Sequence, residues 1–294
     1  NVVRLVKNTN YISLNKNDKV LQTGTTAFDA TTFEYYIALL NGNSLYLLKK
    51  QDLLDMRKFE EFLIKNNISV MFVTTQLFNQ IVEYKVDLLD KFRVILTGGE
   101  VHSLKHINKV KRNCTNLNLY NVYGPTENTT FSTYYEIKEI ENKTLPIGKP
   151  IANSTCYILD KSGNLCYTNM PGELVVGGDG VSKGYLNNDI LTNEKFVNIK
   201  DLDRIYKTGD LAYFDENGNI EFLGRIDNQV KIRGFRIEPE EINQRLVSYK
   251  DVKEAVVLVE THNNKKVIVA YYTSDIAISK RDLVEYLKEF LPQY

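Results

Sequence analysis

Up to Tyr123 the sequence keeps switching between two hydrophobic periods, and that switching excludes most folds. SVMFVT, RVILTGGE and LNLYNVYG contain short apolar runs that read as buried strands. TTFEYYIALLNG, MRKFEEFLIKNN, QLFNQIVEY and SLKHINKVKRN repeat apolar residues at helical spacing. The first of these puts Phe33, Tyr36, Ile37 and Leu40 on one face. It has capping-box spacing at Thr31 and Glu34 and stops at Asn41-Gly42. Strands separated by helices of this length need right-handed crossovers, which give a mainly parallel sheet.

Residues 130–226 are punctuated differently. STYYEIKEI, TCYILD, GELVVGG, RIYKTGDLAYF and NIEFLGR are short strand-like runs set apart by SGN, NMPG, GGDG and ENGN. Farther on, EPEEINQRLVSYK and SKRDLVEYLKEFL read as helices around the strands EAVVLVET and KVIVAYYTS. The expected fold is α/β. A mainly parallel sheet with crossover helices (1–129) and an antiparallel β-barrel-like region (130–226) make one large unit, 1–226. A small α+β carboxy-terminal unit (227–294) is joined to it through RIDNQVKIRGFR.

Composition narrows the function classes. The 294 residues, 43% hydrophobic and 25% charged, suit a soluble globular chain of one large or two ordinary domains. Lys+Arg and Asp+Glu both number 37, so no basic footprint points to nucleic acid or a membrane surface. No apolar run approaches the ~18 residues of a membrane span. NVVRLVKNTNYISL lacks the basic start and apolar core of a secretion signal. A cytoplasmic setting is expected, with Cys114, Cys156 and Cys166 as incidental reduced thiols. His102 and His106 stand four apart on an expected helix without an acidic partner, so no metal motif is read there.

In open parallel sheets, ligands bind beyond the carboxyl ends of the strands. The unusual residues fall there: Thr75-Gln76 after MFVT, Thr97-Gly98-Gly99-Glu100 after RVIL, and Gly124-Pro125-Thr126-Glu127 after YNVY. NVYGPTENTT ends a buried strand in a stiff turn and crowds Thr126, Thr129 and Thr130 around one carboxylate. A plain surface turn is the alternative, but neighbouring strand ends of this kind favour a ligand site. The hydroxyls suit a phosphorylated ligand, and Gly98 and Gly99 let a flat ring approach the backbone. Glu127 facing phosphates calls for a cation such as Mg²⁺ between them. In YKTGDLAYFDENGNIEFLGRIDNQVKIRG, Asp210 can accept from ribose hydroxyls and Arg225 can bridge ribose and phosphate; a structural hairpin is the alternative. GGDGVSKG has neither GxxxxGK[ST] nor GxGxxG form and reads as a turn.

Six segments in order resemble motifs of the amino-acid adenylation domains of nonribosomal peptide synthetases, within the adenylate-forming superfamily. They are FDATTFE, NVYGPTE, GELVVGGDGVSKGYLNN (with Lys183 where Arg is usual), YKTGDL, GRIDNQVKIRGFRIEPEEI and the terminal LPQY. The resemblance implies ligase activity with ATP and Mg²⁺, in the service of peptide antibiotic biosynthesis. It implies Thr126 at the α-phosphate and Glu127 on Mg²⁺ as catalytic residues. It implies a nucleotide site of Gly99, Glu100, Asn121, Tyr123, Gly124, Thr126, Asp210 and Arg225, with Tyr123 stacked on adenine and Asn121 on its edge. Asp227 would be the hinge of the small unit. The acid pocket would be Asp29, Ala30, Phe33, Phe72, Leu96, Gly98, Val122, Thr130 and Phe131. Asp29, its sole charge, would pair with the α-ammonium of an amino acid, or act as a helix N-terminal carboxylate. The apolar remainder implies isoleucine, then valine or leucine.

The partners implied are an amino acid, ATP, a carrier protein and condensation domains, with no nucleic acid and no membrane. The family's phosphate loop would precede Asn1 and its catalytic lysine would follow Tyr294, so residues 1–294 alone are expected to be impaired. The alternatives are an acyl-CoA or aryl-acid ligase of the same superfamily, which Asp29 disfavours, and a truncated non-catalytic nucleotide-binding or interaction module.

Overall fold

The apolar runs do become neighbours in a parallel sheet, but two strands that the sequence hides join them. The computed structural model describes residues 1–139, 142, 144–199, 203–232, 234–262 and 265–292. Arg233 of the linker motif and Gln293 and Tyr294 of LPQY lie outside the described residues. Its early elements are α1 (Val2–Val6), β1 (Lys19–Gln22), α2 (Ala30–Leu39), β2 (Ser44–Leu47), α3 (Lys50–Leu54) and α4 (Met56–Asn66). There follow β3 (Val70–Thr74), α5 (Thr75–Lys85), β4 (Val94–Gly98), α6 (Leu104–Asn113), β5 (Asn118–Tyr123), β6 (Thr133–Glu136) and β7 (Lys149–Pro150). Among the described residues these strands form a seven-stranded sheet, β2-β1-β3-β4-β5-β6-β7. It is parallel from β2 to β5. β6 then pairs antiparallel with β5, and β7 with β6. STYYEI therefore extends the first sheet instead of opening the second region, because the chain reverses within NVYGPTENTT and returns beside β5.

Strand periodicity divides the core in two. Met71, Val73, Ile95 and Leu119 pack on one face with Phe59, Phe78, Ile81 and Ile107. Val70, Phe72, Val94, Leu96 and Val122 face the other side, against Leu5, Tyr11, Phe33, Ile37 and Phe131. Successive strand side chains point to opposite faces, so each strand contributes to both clusters. On α2 the buried residues are Thr31, Phe33, Glu34, Ile37 and Ala38. Tyr36 and Leu40, expected on the buried face, are exposed. The expected capping box does not form: Asp29 is the N-cap and makes no side-chain cap bond. Glu34 instead accepts from Thr23 N (2.8 Å), Thr23 Oγ1 (3.0 Å) and Gly24 N (3.2 Å) beyond β1. His102 precedes α6 while His106 lies on it, so the two do not share a helix face.

The next strands are β8 (Ser154–Leu159), β9 (Gly172–Gly178), β10 (Phe196–Asn198, preceded by α7, Asp189–Lys195), β11 (Arg204–Phe214) and β12 (Ile220–Arg225). Among the described residues they form a five-stranded antiparallel sheet, β10-β11-β9-β8, with β12 on β11. Its core gathers Cys156, Leu174, Val176, Phe196, Tyr206 and Ile220.

The chain divides into the units Asn1–Gly224 and Arg225–Tyr294. The second carries a hairpin of β13 (Val230–Ile232) and β14 (Phe235–Ile237). α8 (Pro239–Val247), β15 (Glu254–His262), β16 (Lys265–Thr273) and α9 (Lys280–Phe290) follow. β15 and β16 pair antiparallel, and Leu246, Val252, Val257 and Leu283 form the local core. No described helix is long and apolar enough to cross a membrane.

Candidate functional site

The pocket residues collect on one face of the parallel sheet for reasons of register. Phe72 pairs with Leu96, and Gly98 with Val122. In parallel strands, paired residues point the same way, so Phe72 and Leu96 present adjacent side chains to α2. Phe33 descends from α2, and Phe131 from the loop after β5. The Phe33 and Phe131 ring centroids lie 5.1 Å apart, and those of Phe72 and Phe131 5.6 Å apart. Ala30 packs at the edge of the same cluster. Gly98 admits no larger residue, because a Cβ there would overlap the Val122 carbonyl. Gly99 turns the chain out of the sheet at φ +100°. Thr75 Oγ1 lies 3.2 Å from the Gly98 carbonyl and 3.0 Å from that of Glu100, fixing this turn.

The NVYGPTENTT loop is strained and held from behind. Thr129 and Thr130 have φ of +53° and +68°. Left-handed backbone costs a β-branched residue roughly 1–2 kcal/mol, and such strain gathers at functional sites. The loop doubles back so closely that a Cβ on Gly124 would overlap the Thr130 carbonyl and the Ser132 nitrogen. Arg4, buried on α1, grips it. Nη2 donates to the Asn128 and Thr129 carbonyls at 2.8 and 2.9 Å. Nη1 donates to the Phe131 carbonyl at 2.9 Å and to Ser154 Oγ. Burial pulls the guanidinium pKa down from 12.5 to about 10; both Nη groups are satisfied by carbonyls and Ser154, while Nε is buried without a hydrogen-bond partner.

This loop sets hydroxyls against Asp29. Thr126 donates to Asp29 Oδ2 at 2.6 Å, and Thr130 to the Asp29 carbonyl at 2.9 Å. Asp29 is half-buried at the start of α2, less enclosed than expected, and its carboxylate faces the loop. Thr126, expected at a phosphate, thus shares a hydrogen bond with the residue expected at an ammonium.

Asp210 and Tyr123 also meet. Strand β11 shifts register between Lys207 and Asp210, opposite β9. At the bulge Thr208 Oγ1 donates to the Leu174 carbonyl (2.6 Å) and accepts from Asp210 N (3.0 Å). Bulges re-aim side chains, and here the Asp210 carboxylate accepts the Tyr123 hydroxyl. Burial, and then this carboxylate, keep the phenol protonated far above neutral pH. Asn121 donates through Nδ2 to the Pro146 carbonyl at 2.7 Å. That carbonyl can only accept, so Oδ1 faces His102 Nε2 at 3.2 Å and Nε2 is the donor. Burial lowers the His102 pKa from 6.5 to about 4, so the ring is neutral. The Asn121 amide is held inside the protein at both ends, so any reach to a base edge is shared with these two partners.

Glu127 is buried, and its Oε1 accepts the Tyr185 hydroxyl at 2.6 Å. Ser182 N donates to its carbonyl at 2.8 Å. Among the described residues no three His, Cys, Asp or Glu side chains gather as a metal cage. A single enclosed carboxylate suits a cation that takes its other oxygens from phosphates and water, the habit of Mg²⁺. Arg225 and Asp227 lie in the second unit, where Arg225 Nε donates to Asp227 Oδ1 at 2.8 Å. Asp227 also accepts from Gln229 N at 3.1 Å.

Residues 1–186 match the family model of the AMP-binding enzymes. The chain belongs to the AMP-binding enzyme family. It is 49% identical to gramicidin S synthase 2 of Brevibacillus brevis, over 100% of this chain and 7% of that protein. It is 48% identical to tyrocidine synthase 3 of Brevibacillus parabrevis, over 100% of this chain and 5% of that protein. The chain therefore spans a small fraction of the curated relatives it matches. A solved synthetase protein containing adenylation and PCP domains, bound to a vinylsulfonamide inhibitor, superposes with a TM-score of 0.89. It is 31% identical, over 99% of this chain and 52% of that one.

For this AMP-binding enzyme, sequence reasoning missed the residues behind the site. Arg4 and His102 carry no local signature, since each acts on a partner distant in sequence. Glu34, Tyr185 and Tyr206 do carry a signal: they lie inside FDATTFE, GELVVGGDGVSKGYLNN and YKTGDL, three segments of the resemblance, in which none of them is given a role at the site.

Proposed function

We propose that this segment activates an amino acid. The amino-acid carboxylate attacks the α-phosphorus of ATP, the bond to pyrophosphate breaks, and aminoacyl-AMP forms. A carrier-protein thiol then attacks the acyl carbon and releases AMP. The observation that carries this reading is Asp29, whose carboxylate accepts from Thr126 and whose backbone carbonyl accepts from Thr130, next to Ala30 at the edge of the Phe33, Phe72, Leu96, Val122 and Phe131 cluster. A carboxylate there suits an α-ammonium, and a fatty or aryl acid, having none, would leave it without a partner charge. Apolar walls with no counter-charge favour a branched aliphatic side chain: isoleucine, then valine or leucine. A methylene is worth only ~1–3 kcal/mol in such a pocket, so the three should overlap.

In this reading Tyr123 stacks on adenine, Asp210 holds the ribose hydroxyls, and Thr126 donates to the α-phosphate. Glu127 would hold Mg²⁺, which when bound neutralises phosphate charge. Asp227 is the hinge of the 227–294 unit. The length of the related synthetases, and the PCP domain of the solved neighbour, support carrier and condensation domains as partners.

The test is amino-acid-dependent ATP–pyrophosphate exchange by the full chain containing these residues. Exchange should be strongest with isoleucine, then valine and leucine. Asp29→Ala should lower kcat/KM ~100-fold or more, the cost of truncating one partner of a hydrogen-bonded charge pair. No exchange with any amino acid, or an unaffected Asp29→Ala variant, refutes the reading.

A further inference from the structure

We propose that Tyr185 is a positioning residue for the Glu127 carboxylate, and through it for the divalent cation and triphosphate; the inference rests on the adenylation reading above. Glu127 sits in a loop of the first sheet, yet what orients it comes from the second. Its carbonyl accepts from Ser182 N and its Oε1 from the Tyr185 hydroxyl, so backbone and carboxylate are gripped by one four-residue stretch. That stretch is itself held. Arg204, at the start of β11, donates to the Ser182 and Lys183 carbonyls at 2.6 and 2.7 Å. Thr192 Oγ1 accepts from Tyr185 N at 2.9 Å.

The Tyr185 ring has little freedom. It packs edge-on against Phe196 at 5.4 Å, and Phe196 against Tyr206 at 5.0 Å. The Arg204 guanidinium lies 4.9 Å from the Phe196 ring centre. Tyr185 has one hydroxyl proton and gives it to Glu127. Its oxygen therefore accepts from the Tyr206 hydroxyl, 3.2 Å away. The relay runs from Tyr206, almost wholly buried on β11, through Tyr185 to the carboxylate. The same strand carries Asp210, which accepts from Tyr123. Strand β11 thus fixes both flanks of YGPTE, the aromatic residue at one end and the acidic residue at the other. Partners that orient a metal ligand typically change metal affinity 10–100-fold when removed.

The experiment measures Mn²⁺ binding without turnover. The full chain is titrated with Mn²⁺ and α,β-methylene-ATP, and free Mn²⁺ is followed by electron paramagnetic resonance. Tyr185→Phe keeps the ring packing and removes only the hydroxyl. It should weaken Mn²⁺ binding ~10-fold or more, with metal-free nucleotide affinity unchanged. Tyr206→Phe should have a smaller effect in the same direction. In a Glu127→Gln background, Tyr185→Phe should change nothing further, because the two act in series. Unchanged Mn²⁺ affinity in Tyr185→Phe, or additive loss in the double variant, overturns the inference and leaves the adenylation reading standing. If the wild-type chain binds no Mn²⁺ with the nucleotide analogue, the adenylation reading falls with it.

Discussion

Replacing Arg4 with Met should show how much of the site depends on one buried cation. The side chain makes four hydrogen bonds, three of them to carbonyls: two in NVYGPTENTT and one at Phe131, just after it. Bonds from a charged donor are worth roughly 1.5–3 kcal/mol each, so about 6–12 kcal/mol of interaction is removed. Against this, the fall in pKa from 12.5 to about 10 marks a burial cost of roughly 3 kcal/mol that the Met variant escapes. Relaxing Thr129 and Thr130 out of the left-handed region returns about 2–4 kcal/mol more. The midpoints leave a net loss of about 3 kcal/mol, at the low end of the range for breaking one side of a buried charged network. For a unit of this size, each kcal/mol lowers the melting temperature by about 2–4 °C. Scanning calorimetry should therefore show a drop of about 6–12 °C. Arg4→Lys should recover less than half of it, since a single ammonium cannot span three carbonyls as a planar fork does. A drop below about 3 °C for Arg4→Met would refute the claim that this cation holds the loop.

Other expectations follow from buried titratable groups. Burial lifts the Glu34 pKa from 4.5 to about 7, so the folded chain binds its proton more tightly and stability falls by roughly 3 kcal/mol as pH rises across that window. His102 moves the other way, from 6.5 to about 4, so stability falls by a similar amount as pH drops through that range. The two oppose each other, and Glu34→Gln should leave a variant more stable than wild type at pH 8 and more acid-sensitive below pH 6. Urea midpoints from pH 4 to 8 check this, and parallel profiles would contradict it. Burial pushes the thiols of Cys114 and Cys156 up to about 12. At pH 8, iodoacetamide should label Cys166 first and the other two only in urea, as read by peptide mass spectrometry.

The contrast between Phe72 and Glu34 shows what could be read in advance. Phe72 lies in SVMFVT, whose apolar run signals a strand buried on both faces, and its place on the pocket face follows from strand alternation. Glu34 has perfect capping-box spacing, yet it is drawn away because Thr23 and Gly24, beyond β1, offer it three donors. β1 and β2 have only four residues each. Runs that short take strand form through their neighbours, so no local pattern announces them.

The sequence alone determined the alternation that makes a parallel sheet, the strand ends where a ligand can sit, and the ordered motifs of an adenylating enzyme. These are local properties, written in periodicity and in runs of a few residues. Tertiary structure decided that β6 returns to the first sheet, that Arg4 props the strained loop, that Thr126 meets Asp29, and that β11 reaches Tyr123 through Asp210 and Glu127 through Tyr185. Each of these pairs residues far apart in the chain, and such contacts exist only once folding has met the entropic cost of bringing them together.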